Sequence, residues 1–309
     1  MEVKQQVFTF ESSSKAGTIH GESFVPSGKI KAVVQISHGM AEHGRRYRPF
    51  IDFLNENQMA VYLIDHLGHG LSAKTEADLG YFKEQGSAAF LVRDQKTVTE
   101  KVKQELPGIP VILFGHSMGS FIARAYTAKY ANELAGAVFC GTSGGNPLAG
   151  AGKVAAQVMG RFKGRSHRSR LLDRLVFGGF NKKIPQPASS FAWLAADGDV
   201  VRDFEADPLS GYLFTVSGFE TLSDLLISVS KTSWYQQVPS ELPILLMAGM
   251  DDPLGDYGKG IEKVARSLKQ AGHDRVRTIL YPQARHEILN EVIKDQVFQD
   301  FADWAEALL

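Results

Sequence analysis

Six short apolar runs constrain what this chain can fold into more than any other feature of it. They are residues 32–36 (Ala-Val-Val-Gln-Ile), 60–64, 111–114, 135–139, 244–247 and 276–280. Each is short and mostly unbroken rather than alternating, which suits a strand covered on both faces of a parallel sheet. Between them lie segments with helical spacing, at 47–55, 86–105, 118–132, 258–271 and 291–308. Strands and helices in alternation predict an α/β architecture with a mostly parallel, doubly wound sheet. Two alternating runs, 7–10 and 17–25, precede this pattern and read as strands closed by the turn Pro26-Ser27-Gly28.

The alternation breaks between Thr142 and about Trp234. This stretch holds Phe162, Phe177, Phe180, Phe191, Trp193 and Phe204, too apolar a composition for a linker. It reads as a mostly helical insertion packed over one edge of the sheet. The expected division is therefore a core at 1–143, a helical cap at 144–234 and the rest of the core at 235–309.

Composition narrows the function. The 34 basic and 34 acidic side chains cancel, and nucleic-acid binding needs a basic surplus to neutralise phosphates, so no nucleic-acid partner is expected. One cysteine, Cys140, cannot form an internal disulfide and reads as a buried strand thiol. Residues 1–10 lack the pattern of a secretory leader, and no apolar stretch approaches the roughly 20 residues of a membrane span. The expectation is a soluble cytoplasmic protein; oligomeric state leaves no mark in the sequence.

Gly115-His116-Ser117-Met118-Gly119 carries the chemistry. It fits G-x-S-x-G, follows the strand at 111–114 and opens the helix at 118–132. That strand–turn–helix setting is what a nucleophile elbow requires, because the sharp turn lifts the serine hydroxyl above the sheet. A serine hydroxyl is a poor nucleophile until a base takes its proton and an acid orients that base. In an elbow architecture the acid and then the histidine follow the serine, at the carboxyl ends of strands. Of nine histidines, only His273 and His286 lie beyond the strand at 244–247. His273 precedes a strand and falls on the wrong edge, whereas His286 follows one. Asp251 and Asp252 both follow the 244–247 strand on the correct edge; Asp256 and Asp224 are weaker candidates. Two backbone N–H groups should receive the transition-state oxyanion: that of Met118, just after the nucleophile, and that of Met40 in the loop Ser37-His38-Gly39-Met40-Ala41-Glu42-His43.

With these residues in place, the sequence resembles the monoglyceride lipase and lysophospholipase branch of the α/β-hydrolase superfamily over nearly its whole length. His38-Gly39-Met40-Ala41-Glu42-His43 is similar to that branch's oxyanion loop. Asp65-His66-Leu67-Gly68-His69-Gly70-Leu71-Ser72 is similar to its D-x-x-G-H-G-x-S signature, and residues 115–119 to its G-H-S-M-G elbow. Gly249-x-x-Asp252-Pro253 and His286-Glu287 match its acid and base segments. The acid there is the last residue of G-x-x-D, so the resemblance implies Asp252 rather than Asp251. Met40 departs from the smaller residues common at its position. The resemblance implies an α/β-hydrolase fold with a helical cap and hydrolysis of carboxylic esters, in particular of monoacyl lipids such as a monoacylglycerol or a lysophospholipid, with no cofactor. Ser117 would attack the ester carbonyl, His286 would accept its proton, and Asp252 would hold the imidazole in the required tautomer. The rivals are a small-ester or aryl-ester carboxylesterase, a peptidase, a haloperoxidase-like enzyme, and a noncatalytic binding protein of the same fold.

Asp65, His66 and His69 lack further ligands at metal-binding spacing, so they are expected to fix a loop, and no metal is expected. The basic run Arg161 to Arg170 reads as a solvated face, or as a contact for phosphate headgroups or for an anionic membrane surface met transiently by the cap. The apolar residues of the insertion, among them Phe162, Leu171, Leu172, Leu175 and Val176, should divide between its own core and an acyl tunnel, with Phe177, Phe180, Phe191 and Trp193 expected to touch substrate.

Overall fold

Among the described residues, eight strands form one sheet: β1 (Val3–Glu11), β2 (Thr18–Pro26), β3 (Ala32–Ser37), β4 (Met59–Ile64), β5 (Val111–His116), β6 (Gly136–Cys140), β7 (Ile244–Gly249) and β8 (Val276–Tyr281). The computed structural model describes residues 2–83 and 86–309; Met1, at the head of the stretch expected to hold no leader, lies outside them. The strands lie in the order β1-β2-β4-β3-β5-β6-β7-β8. β1 and β4 both run antiparallel to β2, and every pairing from β4 onward is parallel.

All residues of β3 to β7 are buried, as unbroken apolar runs require when helices cover both faces. β8 differs from expectation. It is the sheet edge, with Arg277 and Thr278 exposed, because no strand pairs beyond it. β1 begins at Val3 rather than residue 7. Its first half, Lys4-Gln5-Gln6, is exposed and so carries no apolar alternation to read.

The core helices are α1 (Arg48–Glu56), α2 (Ser87–Glu105), α3 (Met118–Tyr130), α9 (Lys259–Gln270) and α10 (Lys294–Glu306), with α4 (Ala149–Lys163), α5 (Arg170–Phe177), α6 (Gly198–Ala206), α7 (Val216–Ser230) and α8 (Thr232–Gln237) between β6 and β7. Apolar spacing decides which face each covers. Phe50, Ile51 and Leu54 of α1 meet Phe298, Phe301 and Trp304 of α10 over one face of the sheet. Val98 and Val102 of α2, Phe121 and Ile122 of α3, and Ile261, Val264 and Leu268 of α9 pack into the core on the other.

The segment between β6 and β7 is helical, as expected, but it does not all sit over the sheet edge. Phe214, and Val216, Phe219, Leu225 and Val229 of α7, join the same core as α2 and α3. Arg124, fully buried in α3, ties both ends of the segment. Its guanidinium donates to the carbonyls of Ser143 at 2.8 Å and Val229 at 2.6 Å and lies over the Trp234 ring. Among the described residues no helix is long and apolar enough to cross a membrane.

The sequence order of the strands reverses at β3, which lies between β4 and β5. Loops leaving the carboxyl ends of β3 and β5 therefore diverge and leave a crevice, the usual place for a site in such a sheet.

Candidate active site

Only Ser117 separates β5 from α3, and it sits at φ 53°, ψ −121°, a conformation that costs a residue with a side chain about 1–3 kcal/mol. Its N–H donates to the Cys140 carbonyl at 3.0 Å, and its own carbonyl accepts from the Ser120 hydroxyl at 2.6 Å. The flanking glycines make the turn sterically feasible: a Cβ on Gly115 would strike the Gly119 carbonyl, and one on Gly119 the Ser37 carbonyl.

Asp252, fully buried after β7, accepts a hydrogen bond at Oδ2 from His286 Nδ1–H, at 2.9 Å. Its other oxygen accepts the Leu254 N–H at 2.8 Å, which fixes the carboxylate plane. Asp251 is exposed, so the structure pairs Asp252, and not its neighbour, with the histidine. His273 lies elsewhere, with Nε2 3.1 Å from the Tyr235 carbonyl. Ser117 and His286 line one cavity. Among the described residues no hydrogen bond joins their side chains; such bonds are often long in an unliganded site and tighten around substrate.

Met40 and Met118 line that cavity beside Ser117. Met118 is the first residue of α3, so its N–H has no intrahelical acceptor. The Met40 N–H has no hydrogen-bond partner among the described residues.

Behind these groups is a buried ionic network that the sequence reading missed. Glu42 Oε1 accepts the Gly39 N–H at 2.5 Å and the Tyr47 hydroxyl at 2.8 Å, and lies 3.2 Å from His116 Nδ1. Arg46 donates to Glu42 Oε2 at 2.8 Å and, through both terminal nitrogens, to the two oxygens of Glu287 at 2.7 Å each. Burial alone would raise the Glu42 carboxyl, but the His116 hydrogen bond and the Arg46 charge outweigh it and hold it well below the usual carboxylate range. Burial likewise opposes ionisation of His116, yet the hydrogen bond and charge of Glu42 raise it above an ordinary histidine. Glu42 thus holds the loop that carries Met40, and Glu287 adjoins His286. Glu42 and Arg46 stand four residues apart, but across a loop and the single 3₁₀ turn Gly44–Tyr47, so no helical periodicity marked them as a pair.

The cavity has a volume of about 1000 Å³. Phe177, Phe180, Phe191 and Trp193 all line it, as do Val176, Phe204, Leu222 and Leu226. The other insertion residues separate into two groups. Leu172 is buried, whereas Phe162, Leu171 and Leu175, counted among core or tunnel candidates, are exposed on α4 and α5. The basic run also divides: Arg170 lines the cavity, Arg165 pairs with Glu220 at 2.6 Å, and Arg168 donates to the carbonyls of Leu213 and Glu76.

Asp65 fixes a loop. It accepts the N–H groups of Gly44 at 2.8 Å and Leu71 at 2.7 Å. His66 and His69 pack against His38 with ring centroids 4.3 and 5.2 Å away. Burial pushes His69 down to about 3, so it is neutral. No group of three metal-ligating side chains occurs among the described residues.

The family model for "Serine aminopeptidase, S33" matches residues 28–293. The chain belongs to this hydrolase family. The hydrolase is similar to a monoacylglycerol lipase of Mycolicibacterium smegmatis, at 27% identity over 281 residues covering 91% of this chain and 90% of the relative. It is similar to the monoglyceride lipase of Homo sapiens at 27% identity, over 90% of this chain and 84% of the relative. Among solved structures it is similar to a highly thermostable carboxyl esterase from Bacillus coagulans in complex with glycerol, at a TM-score of 0.93 and 31% identity covering 99% of both chains. Fold and family agree on an α/β-hydrolase with a mostly parallel sheet flanked by helices.

Proposed function

We propose that this hydrolase cleaves the ester of monoacyl lipids through an acyl-enzyme on Ser117. The observation that carries the reading is an aromatic-walled cavity of about 1000 Å³ that reaches Ser117 and His286, at the upper end of the size range for small-molecule sites. Curated relatives along most of the chain are monoacylglycerol and monoglyceride lipases, which supports a carboxylic-ester hydrolase over the peptidase of the family's description. His286 takes the Ser117 proton during attack on the carbonyl and returns it to the leaving alcohol. Asp252 holds the imidazole with Nε2 free for this exchange, and the N–H groups of Met40 and Met118 receive the oxyanion. A water activated by His286 then releases the fatty acid. Residues 144–234 act as the cap, with Phe177, Phe180, Phe191 and Trp193 contacting the acyl chain.

The exposed apolar side chains of Val154, Val158 and Phe162 on α4, and of Leu171 and Leu175 on α5, lie among Arg161, Lys163, Arg170 and Arg174. Apolar side chains interleaved with basic ones suit transient contact with an anionic lipid surface. A cytoplasmic setting accords with the buried thiol of Cys140.

The test is hydrolysis of monoacylglycerols and p-nitrophenyl esters of graded chain length. Each CH₂ taken from water is worth about 0.8 kcal/mol, so kcat/KM should rise by up to about fourfold per methylene until the cavity is full. A profile that is flat or falls from short to medium chains contradicts the lipid reading and favours a small-ester esterase.

A further inference from the structure

The inserted segment reaches the catalytic histidine itself. The His286 ring packs against two others, His116 and Trp193, each 4.9 Å away between centroids and tilted by 43° and 45°. His116 comes from the elbow, but Trp193 comes from the insertion, 93 residues earlier in the chain than His286. The backbone around Trp193 is joined to the histidine loop. The His286 N–H donates to the Trp193 carbonyl at 3.4 Å, and the Glu287 N–H to the Leu194 carbonyl at 2.7 Å. The Arg285 guanidinium donates to the carbonyls of Ala192 at 2.7 Å and Ala195 at 2.8 Å, so it grips the segment on both sides of the indole. Glu291 Oε1 closes the junction by accepting the N–H groups of Ala196 at 2.8 Å and Arg285 at 2.9 Å.

We propose that Trp193 is a positioning residue for the His286 imidazole, with Arg285 fastening the segment that carries it. Asp252 fixes only one ring nitrogen and leaves the imidazole free to tilt about that bond. The indole, packed 4.9 Å from the imidazole on a segment hydrogen-bonded to the histidine loop, restricts that tilt and keeps Nε2 directed toward Ser117. The same indole stacks on Phe177 and packs T-shaped against Phe180, two residues that line the cavity. An acyl chain pressed against that wall bears on the group that orients the base, so chain length should act on kcat as well as on KM. The inference rests on the assignment of His286 as general base in the proposed function.

The experiment compares Trp193→Leu, Trp193→Phe, Arg285→Ala and Arg285→Lys with the unaltered protein. Two readouts are used: kcat and KM on p-nitrophenyl acetate, whose two-carbon acyl group makes the least use of the aromatic wall, and the downfield proton resonance of His286 Nδ1–H. Trp193→Leu and Arg285→Ala should each lower kcat on the acetate by about tenfold, with KM changed less than twofold, and broaden the resonance. Trp193→Phe and Arg285→Lys should restore most of both. Arg285→Ala keeps the indole, so it remains informative if Trp193→Leu does not fold. An acetate kcat within twofold of the unaltered value, with an unchanged resonance, in folded Trp193→Leu or Arg285→Ala overturns the proposal and leaves Trp193 a wall residue. If the unaltered protein hydrolyses no ester, the proposed function fails instead, and the resonance, which needs no turnover, decides the positioning role alone.

Discussion

On one side of His286, its back, the buried Glu42, His116 and Glu287 and the partly buried Arg46 neutralise one another, whereas on the cavity side, its front, Trp193, Phe177 and Phe180 present rings and almost no polar atoms. The back comes from loops at the carboxyl ends of the sheet strands and the front from the insertion between β6 and β7. Carboxylates whose lone pairs are used admit one geometry, since removing either partner strands a buried charge. Aromatic rings tolerate exchange for other apolar groups of similar volume. On the proposed reading, the back fixes where the reacting atoms sit and the front determines which acyl group reaches them. The two meet at Arg46, whose guanidinium pairs with both carboxylates and lies 4.7 Å over the Phe204 ring at the cavity wall.

The largest effects belong to the acid that orients the base. Asp252→Asn should favour the wrong imidazole tautomer and lower kcat by about 10⁴-fold, while Asp251→Asn, at an exposed position, stays within a few-fold. Steady-state kinetics on equally folded variants checks the ranking. His273→Ala should also leave kcat within a few-fold, because its ring faces Tyr235.

Next comes the ionic network. Glu42→Gln should cost about 3–5 kcal/mol of stability, as breaking a buried pair generally does, and should lower kcat by loosening the Gly39 N–H and with it the Met40 loop. Its pH dependence has a defined sign. Glu42 is held below its ordinary value of 4.5, so its contribution is present above that value and is lost as pH falls through the native one. His116 is raised above 6.5, so its contribution is full below 6.5 and is lost as pH rises through the native value. The difference in Tm between the unaltered protein and Glu42→Gln should be widest between 4.5 and 6.5 and narrow on both sides. A difference that grows from pH 7 to 9 would contradict the pairing of Glu42 with His116.

Changes at the front should be smaller and selective. Phe177→Ala should lower kcat/KM for long-chain esters by about tenfold or more, on the scale of several methylene contacts, and affect acetate esters far less. Equal losses at all chain lengths would place Phe177 outside the acyl path. Smallest of all, Phe162→Ser and Leu175→Ser should leave hydrolysis of a dissolved short ester within twofold, yet weaken sedimentation with anionic phosphatidylglycerol vesicles. Unchanged sedimentation would remove the lipid contact.

The same division marks what the sequence made legible. The interior strands could be read because both faces are covered, which leaves an unbroken apolar run. β8 and the first half of β1 misled because an edge strand keeps polar residues outward, as at Arg277 and Lys4. The elbow at Ser117 and the loops holding Met40, Asp251, Asp252 and His286 could be placed because a turn between strand and helix, or the loop after a strand, restricts local sequence, but the choice of Asp252 over Asp251 came from the family resemblance and not from the local pattern. The contact of Trp193 with His286 was not legible, since it depends on how the insertion docks rather than on any local pattern. The exposed places of Phe162, Leu171 and Leu175 were hidden for a related reason: helical spacing shows that a face is apolar and not what covers it. The core position of α7 followed only from its packing against α3.

The central claim is that Ser117 forms the acyl-enzyme, and the most direct test is to locate the adduct. The protein would be treated with a fluorophosphonate probe, digested and sequenced by mass spectrometry, with Ser117→Ala in parallel. The account predicts one modified peptide, bearing the phosphonyl group on Ser117, and no modification of the folded Ser117→Ala protein. An adduct on any other residue of the unaltered protein, or undiminished labelling of Ser117→Ala, would contradict it.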